Sequence, residues 1–456
     1  MKETKKILIL IPDGVGIKNY LYSNTFKNTS ASISLFHNFD KETLSYIGKH
    51  VNVELYFEIP VYKESLKEKF LRELIHLSRL KLNAVKVANP TILKFWKSNH
   101  NSLKLKLFYF GVTLASKFVY TYKKILKFEK KYNKYLRKNP FYKQVSEILL
   151  KYKPDVIFCT HQRALKAPTI FAAANDLGIK TITVIYSWDN LPKARLSLKA
   201  EKYLVWSTYM KEELQLFYPE INPESIKITG TPQFEFYMDP KNIIEKEDFY
   251  RSYGLDKYKQ IICFSGDDIL TSPYDPNYLD EIASEIVKYG KTEKYQIIFR
   301  RCPVDISGRF DWVVKKYPDL IIEIPPLWNF NSDIWSAVYP TFDDVRLLTS
   351  LVYYSDVVIN VGSTMAFDFG MFNKPCIFIN YDYKPDKNWS VKTIYKYHHF
   401  RSMPSKNAVF WLNDRSEIVQ VINKAVNQPN TTINEWFKIV ANNVETASSN
   451  IIKELL

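Results

Sequence analysis

No apolar run in this chain reaches the roughly 18 uncharged residues that a membrane-spanning helix needs, so none is expected. Cysteine is scarce: Cys159, Cys263, Cys302 and Cys376 stand far apart. Their spacing fits neither a metal site nor a disulfide framework, and free buried thiols in a reducing cytoplasm are the simplest account. The opening MKETKKILILIPDG has no small-residue cleavage site and runs into a strand pattern, so a secretory signal is not expected. Also missing are a Walker phosphate loop, a G-x-S-x-G elbow, the protein-kinase set and H-E-x-x-H. The paired aspartates Asp267-Asp268 and Asp343-Asp344 do not form the D-x-D that holds a metal against a diphosphate, so no metal is expected. No helix-turn-helix, zinc finger or RNA-binding signature appears, which argues against nucleic acid as a partner. Internal repeats and low-complexity tracts are absent too.

What is present is a chain of 456 residues, 46% hydrophobic, long enough for two cores. Its formal charge of +16 favours polyanionic partners. Strand-length apolar runs alternate with longer amphipathic stretches, a βα pattern. The runs predict strands at 6–11, 51–57, 155–159, 180–186, 202–206 and 226–229, then at 260–265, 295–300, 320–324, 356–361, 376–379 and 408–411. Most are continuously apolar, as in parallel sheets covered on both faces. The expected fold class is α/β, with two doubly wound Rossmann-like domains facing a central cleft. Polar residues 238–250 mark the boundary between domains at 1–240 and 250–430, and 431–456 reads as a C-terminal helix. Residues 63–153 interrupt the first series as a lysine-rich helical insert. Within it, segment 102–128 combines apolar residues with lysines and carries no acid. That composition suits an interfacial helix on an anionic membrane, and equally a core helix with a solvated rim.

The candidate site residues cluster at expected strand ends, which face the ligand cleft of a doubly wound domain. Val361-Gly362-Ser363-Thr364 turns from a strand into a helix, whose unpaired N–H groups suit a phosphate. Asp368 lies one turn further on, where a carboxylate can accept from ribose hydroxyls. Gly266 and Asp267 follow strand 260–265, and Arg300 and Arg301 end strand 295–300, where guanidinium groups suit a diphosphate. These residues make the donor site. In the first domain, Asp13 is a candidate base just before Gly14 and Gly16, two glycines that let backbone approach a ligand. His161 is the second candidate base or acid, with Arg163 beside it for an anion. Trp188 and Asp189 can grip a sugar by stacking and hydroxyl bonds. A packing tryptophan and plain turns are the structural alternatives.

Several segments together resemble a known family. They are IPDGVGIKNYL (11–21), THQR (160–163), SWDNL (187–191), LVWSTYMKEEL (204–214), ITGTPQFEFY (228–237) and GSTMAFDFGMFNKPCIFINYD (362–382). The chain is similar to bacterial cell-surface polysaccharide glycosyltransferases of the GT-B fold, and the last segment also resembles CDP-glycerol glycerophosphotransferases. The resemblance implies a nucleotide-sugar donor in the second domain, held by Gly362, Ser363, Thr364 and Asp368, and no separate cofactor. Many relatives carry Glu where Asp368 stands, and an Arg-x-His-Pro turn where this chain has Arg300-Arg301-Cys302-Pro303. The implied acceptor is a lipid-linked or membrane-associated glycan, met by a peripheral enzyme on the cytoplasmic face of the cell membrane. Three rivals stay open: a CDP-polyol phosphotransferase, a sugar-nucleotide 2-epimerase, and a non-catalytic membrane-surface scaffold.

Overall fold

Short runs of Ile, Leu, Val and Phe become strands buried on both faces, and two sheets result. The computed structural model of the chain describes residues 4–14, 16–96, 101–330, 338–429 and 431–456. Val15 of the first candidate loop and residues 97–100 of the insert lie outside them. The first sheet holds β1 (Lys6–Leu10), β2 (Ser32–His37), β3 (Leu55–Glu58), β4 (Val156–Cys159), β5 (Lys180–Val184), β6 (Lys202–Val205) and β7 (Ile226–Ile228). The second begins with β8 (Gln260–Ser265), β9 (Tyr295–Arg300) and β10 (Ile321–Glu323). A short antiparallel pair, β11 (Trp328–Asn329) and β12 (Tyr339–Pro340), intervenes. Then β13 (Val357–Asn360), β14 (Cys376–Ile379) and β15 (Phe410–Leu412) complete it.

The strand orders are β3-β2-β1-β4-β5-β6-β7 and β10-β9-β8-β13-β14-β15, with parallel pairing throughout. In each, the chain winds outward on one side and then crosses to the other. The crossing leaves a crevice between β1 and β4 in the first sheet and between β8 and β13 in the second. Ligands of open α/β sheets bind at such switch points. The central strands are sealed: Ile7 to Leu10, Val156 to Cys159 and Val357 to Ile359 are fully buried.

Beyond the short pair β11 and β12, one strand of the main sheets escapes the apolar-run reading. Ser32-Ile33-Ser34 looks half-polar, yet Ser34 is buried in β2 with its hydroxyl 2.8 Å from that of Tyr152. A satisfied hydroxyl removes the desolvation penalty that would otherwise exclude serine there. The run expected at 51–57 is a strand only over Leu55–Glu58, at the sheet edge.

Among the described residues, the insert is four longer helices, Leu66–Lys86, Leu103–Ser116, Tyr122–Leu136 and Pro140–Tyr152, with a short turn of helix at Pro90–Phe95. Ser65 and Glu68 form a reciprocal capping box at its start. Buried Arg79 ties two insert helices together by donating to Glu129 at 2.8 Å, and joins the insert to the first half by donating to the Phe217 carbonyl at 3.3 Å. The insert also reaches the second half. Asn89 donates to the Lys396 carbonyl at 2.9 Å, and Arg401 donates to the Val87 carbonyl at 2.8 Å.

Residues 431–456 form two helices rather than one. Ile433–Val440 packs on the helix Met365–Gly370 of the second half. Ala447–Leu455 returns to the first, where Ile451 and Leu455 join the core around Ile7 and Val156.

Candidate active site

Both switch points open toward one cavity of about 600 Å³ between the halves. Its volume suits a small molecule. The second half contributes Gly362, Ser363 and Thr364 from the β13 turn and Asp267 and Thr271 from the β8 loop. The first contributes Arg163 beyond β4 and Ser187, Trp188 and Asp189 beyond β5. So seven of the residues expected in donor or acceptor sites share one wall. Sequence reasoning missed Lys94 and Phe95 from the insert, Lys193 and Arg195, and His399 of the second half, all of which line it. Four cationic side chains therefore face the cavity. Arg163 makes no hydrogen bond or ion pair among the described residues.

Gly362 has φ +72°, and a Cβ there would come within 2.8 Å of the Phe400 ring. Glycine is required by both backbone and space. The Ser363 N–H is held by the Asn360 side chain at 2.8 Å, which fixes the turn. The following helix, Met365–Gly370, is short, and the Thr364 hydroxyl forms no capping bond.

Opposite, Asp189 pairs with Lys193 and accepts from the Asn190 side chain at 2.8 Å. Burial works against its charge, yet Lys193 and the neighbouring His399 hold the carboxyl well below its usual range. His399 is buried, and desolvation pushes its imidazole down to about 4, so it is neutral at pH 7. Its Nδ1 has no hydrogen-bond partner. Trp188 is wedged edge-on against His399 at 4.6 Å and Phe367 at 5.2 Å. It is an interdomain packing residue with one side on the cavity, not a free stacking face.

The β8 loop is laced by Arg309, which donates to the Asp267 carbonyl at 2.7 Å and the Ser272 carbonyl at 2.9 Å. Asp267 donates its N–H to Asp275 at 2.7 Å. Burial, with Asp275 and Asp268 nearby, raises the Asp267 carboxyl well above its usual range. Gly266 is packed rather than open, since a Cβ would meet the Phe310 ring at 2.9 Å.

Asp13 and His161 come together at the β1–β4 crevice. His161 Nδ1 contacts Asp13 Oδ2, and the second Asp13 oxygen is buried without a partner. The Tyr186 ring packs on His161 at 5.0 Å. Neither Asp13 nor His161 is on the cavity wall, but Arg163, two residues after His161, and Ser187, next to Tyr186, are. With Nδ1–H donated to the carboxylate, Nε2 is the free basic nitrogen.

The remaining expected residues have protein partners elsewhere. Asp368 accepts the Tyr237 hydroxyl at 2.7 Å, and burial raises its carboxyl while Lys18 opposes the shift. Arg300 donates to Asp344 at 2.7 Å and to the Pro325 carbonyl at 3.2 Å. Arg301 donates to the Asp305 carbonyl at 2.8 Å. Gly14 lets the β1 loop meet the second half, because a Cβ would lie 2.0 Å from the Val338 carbonyl oxygen. Gly16 abuts Thr160, at 2.5 Å from a Cβ. Their glycine character thus serves packing between loops.

Among the described residues, no three His, Cys, Asp or Glu side chains converge as a metal centre requires. No helix of them is long and apolar enough to cross a membrane.

Similarity to known proteins follows the same lines. Residues 62–232 match the sequence profile of the family described as monogalactosyldiacylglycerol (MGDG) synthase. The teichoic acid poly(ribitol-phosphate) polymerase of Bacillus spizizenii is 23% identical over 184 residues, 38% of this chain. The match spans only 25% of that polymerase. A putative UDP-N-acetylglucosamine 2-epimerase from Listeria monocytogenes superposes with TM-score 0.54 at 9% identity, covering 99% of this chain and 96% of that one. The UDP-GlcNAc 2-epimerase of Neisseria meningitidis, bound to UDP-GlcNAc, gives TM-score 0.52 at 11% identity, with 99% of each chain covered. At such identities the structures speak for fold alone, and that fold is GT-B. The matched profile covers less than half of this chain and is that of a glycosyltransferase family.

Proposed function

We propose that this chain transfers a sugar from a nucleotide-sugar donor to a membrane-associated glycan acceptor in surface polysaccharide synthesis. The observation that carries the reading is the cationic cavity shared by both switch points. In this reading residues 1–240 receive the acceptor and 250–430 the donor. The donor diphosphate lies against Gly362, Ser363 and Thr364. Lys94, Arg163 and Arg195 offset the charge that develops as it leaves, the part first expected of Arg300 and Arg301. The acceptor hydroxyl attacks the anomeric carbon as the bond to the diphosphate breaks. Its proton passes to His161 Nε2, with Asp13 holding the imidazole. That sequence inverts the anomeric centre.

The membrane part of the reading draws on the helix Leu103–Ser116. Leu103, Leu107, Phe110 and Leu114 are 71%, 63%, 69% and 47% exposed along one ridge. Lys104, Lys106 and Lys117 flank it. An apolar ridge with a basic border suits an anionic lipid surface.

A second reading, transfer of a polyol phosphate from a CDP-activated donor, is favoured by the teichoic acid polymerase match. The released nucleotide separates the two. Turnover with a panel of donors is expected to release a nucleoside diphosphate. Release of CMP would favour the phosphotransferase.

A further inference from the structure

A second opening adjoins the first cavity and shares Phe400 with it. It is a groove of about 810 Å³ at the carboxyl ends of β14 and β15. Lys406 and Trp411 also line a neighbouring hollow of about 650 Å³ beside the helix Ile418–Asn427. No Asp or Glu lines either, whereas Lys392, Lys396, Lys406 and Lys424 do. None of these four ammonium groups makes a hydrogen bond or ion pair among the described residues. An acid-free lining with unpaired cations selects anions.

The floor is aromatic and fixed. Trp411 and Tyr395 meet edge to face at 4.9 Å. Trp411 Nε1 donates to the Lys406 carbonyl at 2.8 Å, and the Tyr395 hydroxyl donates to the Ile379 carbonyl at 2.6 Å. Rings held in this way can receive the C–H face of a sugar without losing freedom. Asn380 and Asn413, bonded to each other at 2.8 Å, add amides for hydroxyl groups at the rim.

We propose that this groove and the neighbouring hollow form a track for an extended anionic glycan, a hydroxyl-rich polymer with phosphate or carboxylate in its repeats. The track runs over the donor half, and its end passes Phe400 into the first cavity, where the first half receives it as the acceptor. The inference rests on the transferase reading and adds the acceptor's chemical class. A ligand reaching from Phe400 past Trp411 to Lys424 is several units long. Two rings at one point fit a glycan better than the run of stacking platforms that a single-stranded nucleic acid uses.

The test is fluorescence anisotropy with four labelled probes: a polyuronate oligomer, a polyol-phosphate oligomer, a neutral dextran oligomer and a single-stranded oligonucleotide. Both anionic glycans should bind, and dextran should bind about tenfold more weakly. The variant Lys392→Glu/Lys396→Glu/Lys406→Glu should lose at least about tenfold, with a shallower salt dependence. Trp411→Leu should lose roughly fivefold with an unchanged salt dependence. Equal glycan affinity in the triple variant overturns the track, as does tighter binding of the oligonucleotide. A nucleoside diphosphate thermal shift, measured in parallel, reads the first cavity. If that shift is present in the wild type and glycan binding is absent, the track alone is wrong. If the shift is absent, the transferase reading falls first.

Discussion

Asp13 and His161 stand 148 positions apart, and one contact joins them. Their location at strand ends was legible, because a doubly wound pattern sends every such end to the same edge. Their pairing was not, since it depends on which strands neighbour each other. The dyad makes a specific prediction. His161→Ala should lower kcat by roughly 10²–10⁴ while donor affinity holds, the usual contribution of a general base. Asp13→Asn should also slow turnover, and the double variant should be little worse than His161→Ala alone, because both act through one imidazole. Additive losses would separate the two residues. Arg300 and Asp368 illustrate the opposite outcome. Each looks like a free ligand group in sequence, yet Asp344 and Tyr237 occupy them. His399 was not singled out in the sequence at all. Its folded pKa of about 4 lies below the ordinary 6.5, so the unfolded chain binds the extra proton between those values. Stability is therefore complete above about pH 6.5 and falls as pH drops toward 4, by at most about 3 kcal/mol for this group. Urea unfolding at pH 5 and pH 7 should show the decline, and His399→Phe should flatten it.

At the scale of elements, periodicity found most strands because buried parallel strands are continuously apolar. It failed at β2, where a serine hydroxyl is satisfied inside the sheet by Tyr152. The insert's helical character was legible too, but not its anchor. Arg79 is 2% exposed and faces Glu129 and Glu220. Arg79→Ala leaves buried Glu129 and partly buried Glu220 with Lys199 alone and should cost about 3–5 kcal/mol in urea unfolding. A loss below 1 kcal/mol would mean that water or a neighbouring lysine takes its place, Lys199 being near at 2.9 Å from Glu129. The ridge on Leu103–Ser116 is testable by vesicle sedimentation. Binding should require anionic lipid, weaken with salt, and drop about tenfold or more in Leu107→Asp/Phe110→Asp. Equal partitioning to neutral and anionic vesicles would reject the membrane role.

For the whole molecule, two series of βα units and a polar stretch between them were enough to expect two Rossmann-like halves. What the sequence could not convey is how the halves are tied. The last helix returns to the first sheet, where Ser448 donates to Glu235 at 2.6 Å. The insert bridges to the second half through Asn89 and Lys396. Such contacts join distant positions and leave no periodic trace. They nonetheless build the cavity, since Lys94 and Phe95 reach it only because the insert spans both halves. The central claim is that this cavity receives a nucleotide diphosphate. Thermal unfolding with UDP, GDP, dTDP, CDP and CMP, alone and sugar-linked, tests it most directly. One nucleoside diphosphate and its sugar conjugate should raise the melting temperature, by the equivalent of about 2.7 kcal/mol at a hundredfold excess over Kd. Gly362→Val should abolish the rise, and no shift with any nucleotide would contradict the account.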